Sequence, residues 1–186
     1  VVCRPIANVE GCYLRRMYEA EVYVAGRLAA ACGDDWDCGR NVEQIITEIE
    51  KKQGVSYAPE QRRAVALAAE KGVVLLSGGP GTGKTTAVRG IVALFQRMGL
   101  DVELLAPTGR AAQRMSQLCG KEAQTIHRCL GMNWNELTGE VTFRKNEKEP
   151  LEADAVIVDE MSMVDLELMA SLLRAMRPGC RLVMVG

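Results

Sequence analysis

Apolar residues recur at two different periods along this chain, and the change from one to the other divides it near residue 57. Upstream, Leu14, Met17, Tyr18, Ala25 and Leu28, with the charged Glu21 in the same series, return at three- and four-residue steps, which predicts a helix over residues 13–31 that Gly33-Asp34-Asp35 breaks. A second amphipathic stretch runs from about Asn41 to Lys52, with Val42, Ile45, Ile46 and Ile49 on one face and Gln53-Gly54 behind it. Two helices cannot close a core alone. Residues 1–56 are therefore expected to be the end of an N-terminal helical domain that packs on something else.

Downstream the texture changes. Pro59 suits the first turn of a helix reaching about Lys71. Four short apolar runs follow, Val73–Leu76, Val102–Ala106, Ala155–Val158 and Leu182–Val185. Each is continuous rather than alternating, as expected of strands buried on both faces of a parallel sheet. Helical patterns at about Lys84–Met98, Arg110–Leu118 and Leu166–Ala175 separate them, so residues 57–186 are expected to form an α/β domain with helices on both sheet faces. Residues 131–150 break the alternation. Asn135-Glu136-Leu137-Thr138-Gly139-Glu140 resembles a turn leading into a short strand near Val141–Arg144, which predicts a surface hairpin.

Composition narrows the class without naming it. Hydrophobic residues make up 48% and charged residues 25% of the 186, a proportion that permits a packed core and argues against disorder. No apolar run approaches the roughly 18 residues that span a bilayer, and no signal-peptide pattern opens the chain. The formal net charge of −1 carries no overall basic field, so any nucleic acid would have to be held by local patches. Seven cysteines, at 3, 12, 32, 38, 119, 129 and 180, form no CxxC pair, and His127 is the single histidine. This argues against a zinc site and suits a reducing cytoplasm, with the thiols expected to act mainly as small buried apolar groups.

Chemistry concentrates behind the first apolar run. Gly78-Gly79-Pro80-Gly81-Thr82-Gly83-Lys84-Thr85-Thr86 fits the Walker A spacing. Glycines let the backbone curl so that its N–H groups face phosphate oxygens, and the following helix adds the positive end of its dipole. Lys84 is expected to reach the β- and γ-phosphates of ATP, and the Thr85 hydroxyl to ligate Mg2+. The run Ala155-Val156-Ile157-Val158 delivers Asp159 and Glu160 to the sheet edge. Asp159 suits the Walker B role of holding Mg2+ through its waters, and Glu160 is placed to orient or deprotonate the attacking water. An adjacent glutamate favours P-loop proteins that hydrolyse ATP for mechanical work.

Three further features are less specific. Gln61 can donate to and accept from an adenine edge, although a surface glutamine on a helix is the simpler reading of that residue alone. Pro107-Thr108-Gly109-Arg110 opens a helix with glycine, hydroxyl and guanidinium, which suits sugar-phosphate contacts and equally suits helix capping by Thr108 or Gly109. His127, in Thr125-Ile126-His127-Arg128, is read as a structural residue.

Together these stretches resemble the RecD-like helicases of superfamily 1, which include the alpha subunit of exodeoxyribonuclease V, its stand-alone relatives and the related TraA proteins. The resemblance rests on Gln61, Gly78–Thr86, Ala106-Pro107-Thr108-Gly109-Arg110-Ala111-Ala112, Thr125–Arg128, Pro150-Leu151 and Ile157–Asp165. It spans residues 57–186 strongly and the Tyr18–Leu28 region more weakly, with the stand-alone branch fitting best. It implies a RecA-like P-loop NTPase domain, the first of two motor domains that close on ATP and step along single-stranded DNA five-prime to three-prime, in DNA recombination or repair. It implies adenine contact by Gln61, phosphate and Mg2+ binding by Gly78–Thr86, hydrolysis by Lys84, Asp159 and Glu160, and DNA contact by Pro107–Arg110. It also implies that the Leu182–Val185 strand lies between the P-loop strand and Ala155–Val158.

The chain starts at Val1 without an initiator Met and stops at Gly186 directly behind an apolar run, as expected of a piece of a larger protein. Such a piece, lacking a second motor domain and its arginine finger, is expected to turn over negligible ATP. Two other functions share these motifs: the helicase part of a conjugative relaxase, and an ATP-gated DNA-binding module that does not translocate. Glu160 argues against the second, because a pure switch has little need of a hydrolytic base.

Overall fold

A computed structural model describes residues 1–7, 9–36, 42–134, 139 and 141–186. The expected helix start at Asn41, the turn residues Asn135–Thr138 and Glu140, and Cys38 lie outside the described residues.

The centre is a five-stranded sheet of order β3-β9-β8-β4-β5, formed by β3 (Val73–Leu76), β4 (Val102–Ala106), β5 (Ala123–Thr125), β8 (Ala155–Val158) and β9 (Arg181–Val185). All four pairings are parallel. β9 therefore lies between the P-loop strand and β8, as the resemblance implied. Strand side chains alternate between two cores, but not every run is buried on both faces as expected: β3 lies at the sheet edge with Leu75 66% exposed, and β4 carries a half-buried Glu103. Val74, Val102, Leu104, Ala155, Ile157, Val183 and Val185 enter one core. Leu105, Val156, Val158 and Leu182 enter the other.

Helices close both faces. α3 (Pro59–Glu70), α4 (Lys84–Arg97) and α5 (Gly109–Cys119) cover the first core, which Val65, Ile91, Leu94 and Phe95 fill without exposure. α7 (Leu166–Ala175) and the single turn α6 (Ile126–Cys129) cover the second through Leu172, Leu173, Ile126 and Leu130. α3 and α4 approach closely because residue 90 is glycine: a Cβ there would stand 2.8 Å from both the Tyr57 hydroxyl and Val65 Cγ2.

The two upstream helices find their partners in this same body. α2 (Val42–Gln53) buries Ile46 and Ile49 in the first core. Arg62 of α3 locks it there, donating to Glu43 Oε2 at 2.9 Å, to Glu50 Oε2 and, at 2.9 Å, to the Thr47 hydroxyl. α1 (Arg15–Cys32) lays Tyr23, Val24 and Leu28 on the second core beside α7. Arg27 also donates to the Leu173 and Met176 carbonyls at 3.5 and 3.1 Å, a cation placed at the negative end of the α7 dipole.

Several elements differ from the sequence reading. β1 (Val2–Ile6) and β2 (Val9–Tyr13) form an antiparallel hairpin ahead of α1, so that helix starts at Arg15 rather than residue 13. β5 closes the sheet edge with Ala-Gln-Thr, no residue of which marks a buried strand. The expected second hairpin exists as β6 (Met132–Trp134) paired with β7 (Val141–Phe143). The thiols are not mainly buried: Cys3, Cys12 and Cys32 are exposed, and Cys119, Cys129 and Cys180 are half-buried. Among the described residues no helix is long and apolar enough to cross a membrane.

Candidate functional site

The glycine loop is anchored at its root to the end of β9. Gly78 N–H donates to the Gly186 carbonyl at 3.3 Å, and Gly186 N–H to the Leu76 carbonyl at 3.1 Å. Gly83 is the N-cap of α4 at φ +83°, a left-handed conformation that glycine adopts without steric cost. A Cβ there would also lie 2.0 Å from Gln61 Nε2. The loop is braced by its own side chains. Thr82 hydroxyl donates to the Gly79 carbonyl at 2.9 Å, and the Lys84 ammonium donates to the Gly78 carbonyl and, at 3.1 Å, to that of Gly79. Thr86 N–H bonds the Gly83 carbonyl at 3.0 Å, starting the first helical turn.

Two strands away, β8 carries Asp159 and Glu160 to the same sheet edge. Asp159 N–H extends the sheet to the Leu105 carbonyl at 2.9 Å, and its Oδ1 accepts the Glu160 N–H at 2.9 Å. Glu160 has φ +52° and ψ +44°, a left-handed conformation for a residue with a Cβ, and leads into a 3-10 turn over Met161–Met163. That conformation costs about 1–2 kcal/mol and turns the chain sharply beside the Asp159 carboxylate. The Glu160 carboxylate has no hydrogen-bond or ion-pair partner among the described residues.

A cavity of about 490 Å3 joins the two motifs. Gly79, Pro80, Gly81, Thr82, Gly83, Lys84 and Thr85 line it on one side, Asp159 and Glu160 on another. Thr82, Thr85, Asp159, Glu160 and Ser162 supply the side-chain oxygens of this lining, a donor set suited to a small hard cation. Among the described residues no group of three histidine, cysteine, aspartate or glutamate side chains could hold a metal. α5 closes the cavity with Arg114, Met115, Leu118 and Cys119. Burial holds the Cys119 thiol above its ordinary value, so it stays neutral beside the carboxylates. Arg114 is the residue that sequence reasoning missed. It is exposed into this cavity with no hydrogen bond or ion pair among the described residues. The signal was available in α5, where Ala111, Ala112 and Met115 bury one face and leave residue 114 at its margin.

The remaining residues sit around that cavity rather than in its wall. Gln61 Oε1 accepts the Ala58 N–H at 3.0 Å, and its Nε2 donates to the Gly83 carbonyl at 3.3 Å. The amide thereby caps α3 and straps it to the phosphate loop. Thr108 Oγ1 accepts the Ala111 N–H at 3.2 Å as the N-cap of α5. Pro107 is half-buried, whereas Gly109 and Arg110 are exposed behind β4 on the same edge of the sheet. His127 lies 6.1 Å from the Phe143 ring and lines a separate cavity of about 790 Å3 between α7 and the β6–β7 hairpin.

Residues 61–186 match the AAA domain family. The chain is 40% identical over 156 residues to the ATP-dependent RecD2 DNA helicase of Deinococcus radiodurans, covering 84% of this chain and 19% of that protein. It is 39% identical over 150 residues to the RecBCD enzyme subunit RecD of Mycobacterium tuberculosis, covering 68% of this chain and 25% of that one. The chain belongs to the AAA domain family, in its RecD-like branch. This RecD-like chain spans between a fifth and a quarter of the length of these curated relatives. Its fold is that of a Bacteroides Pif1 structure bound to ssDNA, with TM-score 0.53 and 24% identity, covering 71% of this chain and 32% of that one. Membership makes the RecD-like chain an ATP-binding domain of RecA-like P-loop architecture.

Proposed function

We propose that residues 57–186 are the ATP-binding part of the first motor domain of a DNA helicase that translocates on single-stranded DNA, five-prime to three-prime. Residues 1–56 are then the end of an N-terminal domain, with α1 and α2 as its contact with the motor. The observation that carries this reading is the single cavity shared by the Gly79–Thr85 loop, Asp159 and Glu160.

In this reading the loop N–H groups and the α4 N-terminus bind the ATP phosphates, and Lys84 leaves its two carbonyl partners for the β- and γ-phosphates. Thr85 and Asp159 would hold Mg2+, which when bound would supply positive charge to the phosphate oxygens. Glu160 orients the attacking water and takes its proton. Gln61 reports adenine occupancy to the loop through Gly83, and Gly109 and Arg110 touch the DNA backbone. The strained Glu160 conformation favours hydrolysis over an ATP-gated clamp, since a switch gains nothing from holding a base against its backbone preference.

The test is ATP hydrolysis by the complete polypeptide that contains this chain, with and without single-stranded DNA, beside Lys84→Ala. Stimulation by DNA that the variant abolishes is expected. Hydrolysis indifferent to DNA would remove the DNA assignments at Pro107–Arg110, and hydrolysis surviving in Lys84→Ala would remove the site itself.

A further inference from the structure

The β1–β2 hairpin pairs Cys3 directly with Cys12, and their sulfur atoms lie 3.3 Å apart. Parity along the ladder sets the geometry of that pair. Pro5, which has no N–H to give, stands opposite Glu10, a position that suits the non-hydrogen-bonded sites of an antiparallel ladder. Cys3 and Cys12 lie two residues further along each strand, so they share that parity. Residues at such sites have Cα atoms about 4.5 Å apart, inside the roughly 4.4–6.8 Å span that a disulfide bridges without backbone movement.

Both thiols are exposed, and this is the one sulfur pair in contact among the described residues. Cys119, Cys129 and Cys180 are half-buried, and burial pushes the last two up to about 12, which keeps them protonated and inert; Cys12 is also raised, by its hydrogen bond with Cys3, but stays exposed to solvent. Cys32 is exposed without a nearby sulfur among the described residues. The hairpin is attached to α1 through Arg4, whose Nε donates to the Tyr18 hydroxyl at 3.3 Å, and through the Tyr13 and Tyr18 rings at 5.7 Å. A bond across the hairpin would therefore fix the approach of the chain to α1.

We propose that Cys3 and Cys12 are a reversible dithiol that closes to a cross-strand disulfide by exchange with small-molecule disulfides. One thiolate attacks the external disulfide, forming a mixed disulfide and releasing one thiol. The second thiolate attacks the hairpin's own sulfur, forming the Cys3–Cys12 bond and releasing the other thiol. Two cysteine thiols are oxidised and one external disulfide is reduced to two thiols. The second step is intramolecular, and at about 0.1 mM external thiol an effective concentration of about 1 mM favours the closed form over the mixed disulfide by about tenfold.

The folded 186-residue chain is equilibrated in glutathione buffers of rising oxidised fraction, quenched in acid, alkylated and mapped by peptide mass. With reduced glutathione at about 0.1 mM, a linked Cys3–Cys12 peptide, two hydrogens lighter than its parts, is expected to exceed the glutathione adducts at these positions by about tenfold. Cys32 supplies the internal reference, because its conversion to a glutathione adduct proves that the buffer oxidises exposed thiols. Cys12→Ser is expected to abolish the linked peptide and leave Cys3 as a glutathione adduct, with an unchanged circular dichroism spectrum. Separate adducts on Cys3 and Cys12, or free thiols at both when Cys32 is converted, would overturn the proposal.

Discussion

The left-handed backbone at Glu160 separates stability from catalysis, and two substitutions expose the separation. Glu160→Gly relieves a conformation that costs an L-residue about 1–2 kcal/mol. It also adds unfolded-state freedom worth about 0.5–1 kcal/mol against folding. The net prediction is a gain of about 0.5–1 kcal/mol, which in a chain of 150–250 residues raises Tm by roughly 1–4 °C. Glu160→Gln keeps the Cβ and the strain, and because the carboxylate has no partner to lose, its stability should stay within about 0.5 kcal/mol of the parent. Both substitutions remove the proposed base and should lower hydrolysis in the complete polypeptide by about 10²–10⁴-fold. Thermal and urea unfolding followed by circular dichroism measure the first effect, and steady-state phosphate release the second. A Glu160→Gly chain no more stable than Glu160→Gln would refute the strain argument. Hydrolysis surviving in Glu160→Gln would refute the assignment of the base.

Arg114 stands in the wall of the cavity that Lys84 lines, without a hydrogen bond or ion pair among the described residues, so Arg114→Ala should weaken nucleotide binding by about 10–100-fold, the worth of a charge-assisted hydrogen bond. Competition with a fluorescent nucleotide measures the loss, and unchanged binding would mean that Arg114 does not reach the bound nucleotide. Gly90→Ala should destabilise the α3–α4 contact by about 1–3 kcal/mol of overpacking, offset by about 1 kcal/mol of helix propensity. The cost should shrink in the background of Tyr57→Phe, which removes the hydroxyl at 2.8 Å and leaves Val65 Cγ2 at 2.8 Å and the ring Cζ at 3.0 Å. Additive urea-melt energies would indicate that the hydroxyl is not the obstacle. Burial pushes the Cys129 and Cys180 thiols from 9.0 up to about 12, so above pH 9 the unfolded chain releases protons that the folded chain retains. Stability should therefore fall between pH 9 and 12, and replacing both cysteines by serine should flatten that decline in a pH series of urea midpoints.

The four apolar runs were legible and appear as β3, β4, β8 and β9; two-sided burial explains β8, whereas β3 leaves Leu75 66% exposed at the sheet edge and β4 and β9 carry Glu103 and Arg181 among their apolar residues. β5 was not, because an edge strand of Ala123, Gln124 and Thr125 is held by backbone pairing to β4 rather than by apolar side chains. The β1–β2 hairpin escaped for a related reason, since Pro5, Arg4 and Glu10 hide any alternation. The glycine loop, Asp159 and Glu160 were legible because their chemistry is tied to fixed spacing. The strap from Gln61 to Gly83 was not, because it depends on how closely α3 packs against α4, which the sequence expresses only as a glycine at position 90.

The place of β9 has a consequence for biosynthesis. It is the last of the five sheet strands in sequence and pairs on both sides, with β3 and with β8. Until it arrives, β3 has no strand to bond and β8 lacks one neighbour. Roughly a hundred residues separate the end of β3 from the start of β9, which at about 5–20 residues per second is on the order of ten seconds of translation. During that interval the glycine loop hangs from an unpaired strand, its anchor to Gly186 still unmade. On a ribosome, then, the nascent chain passes through a stage in which this sheet stands open at the middle, with the glycine loop unanchored until β9 emerges.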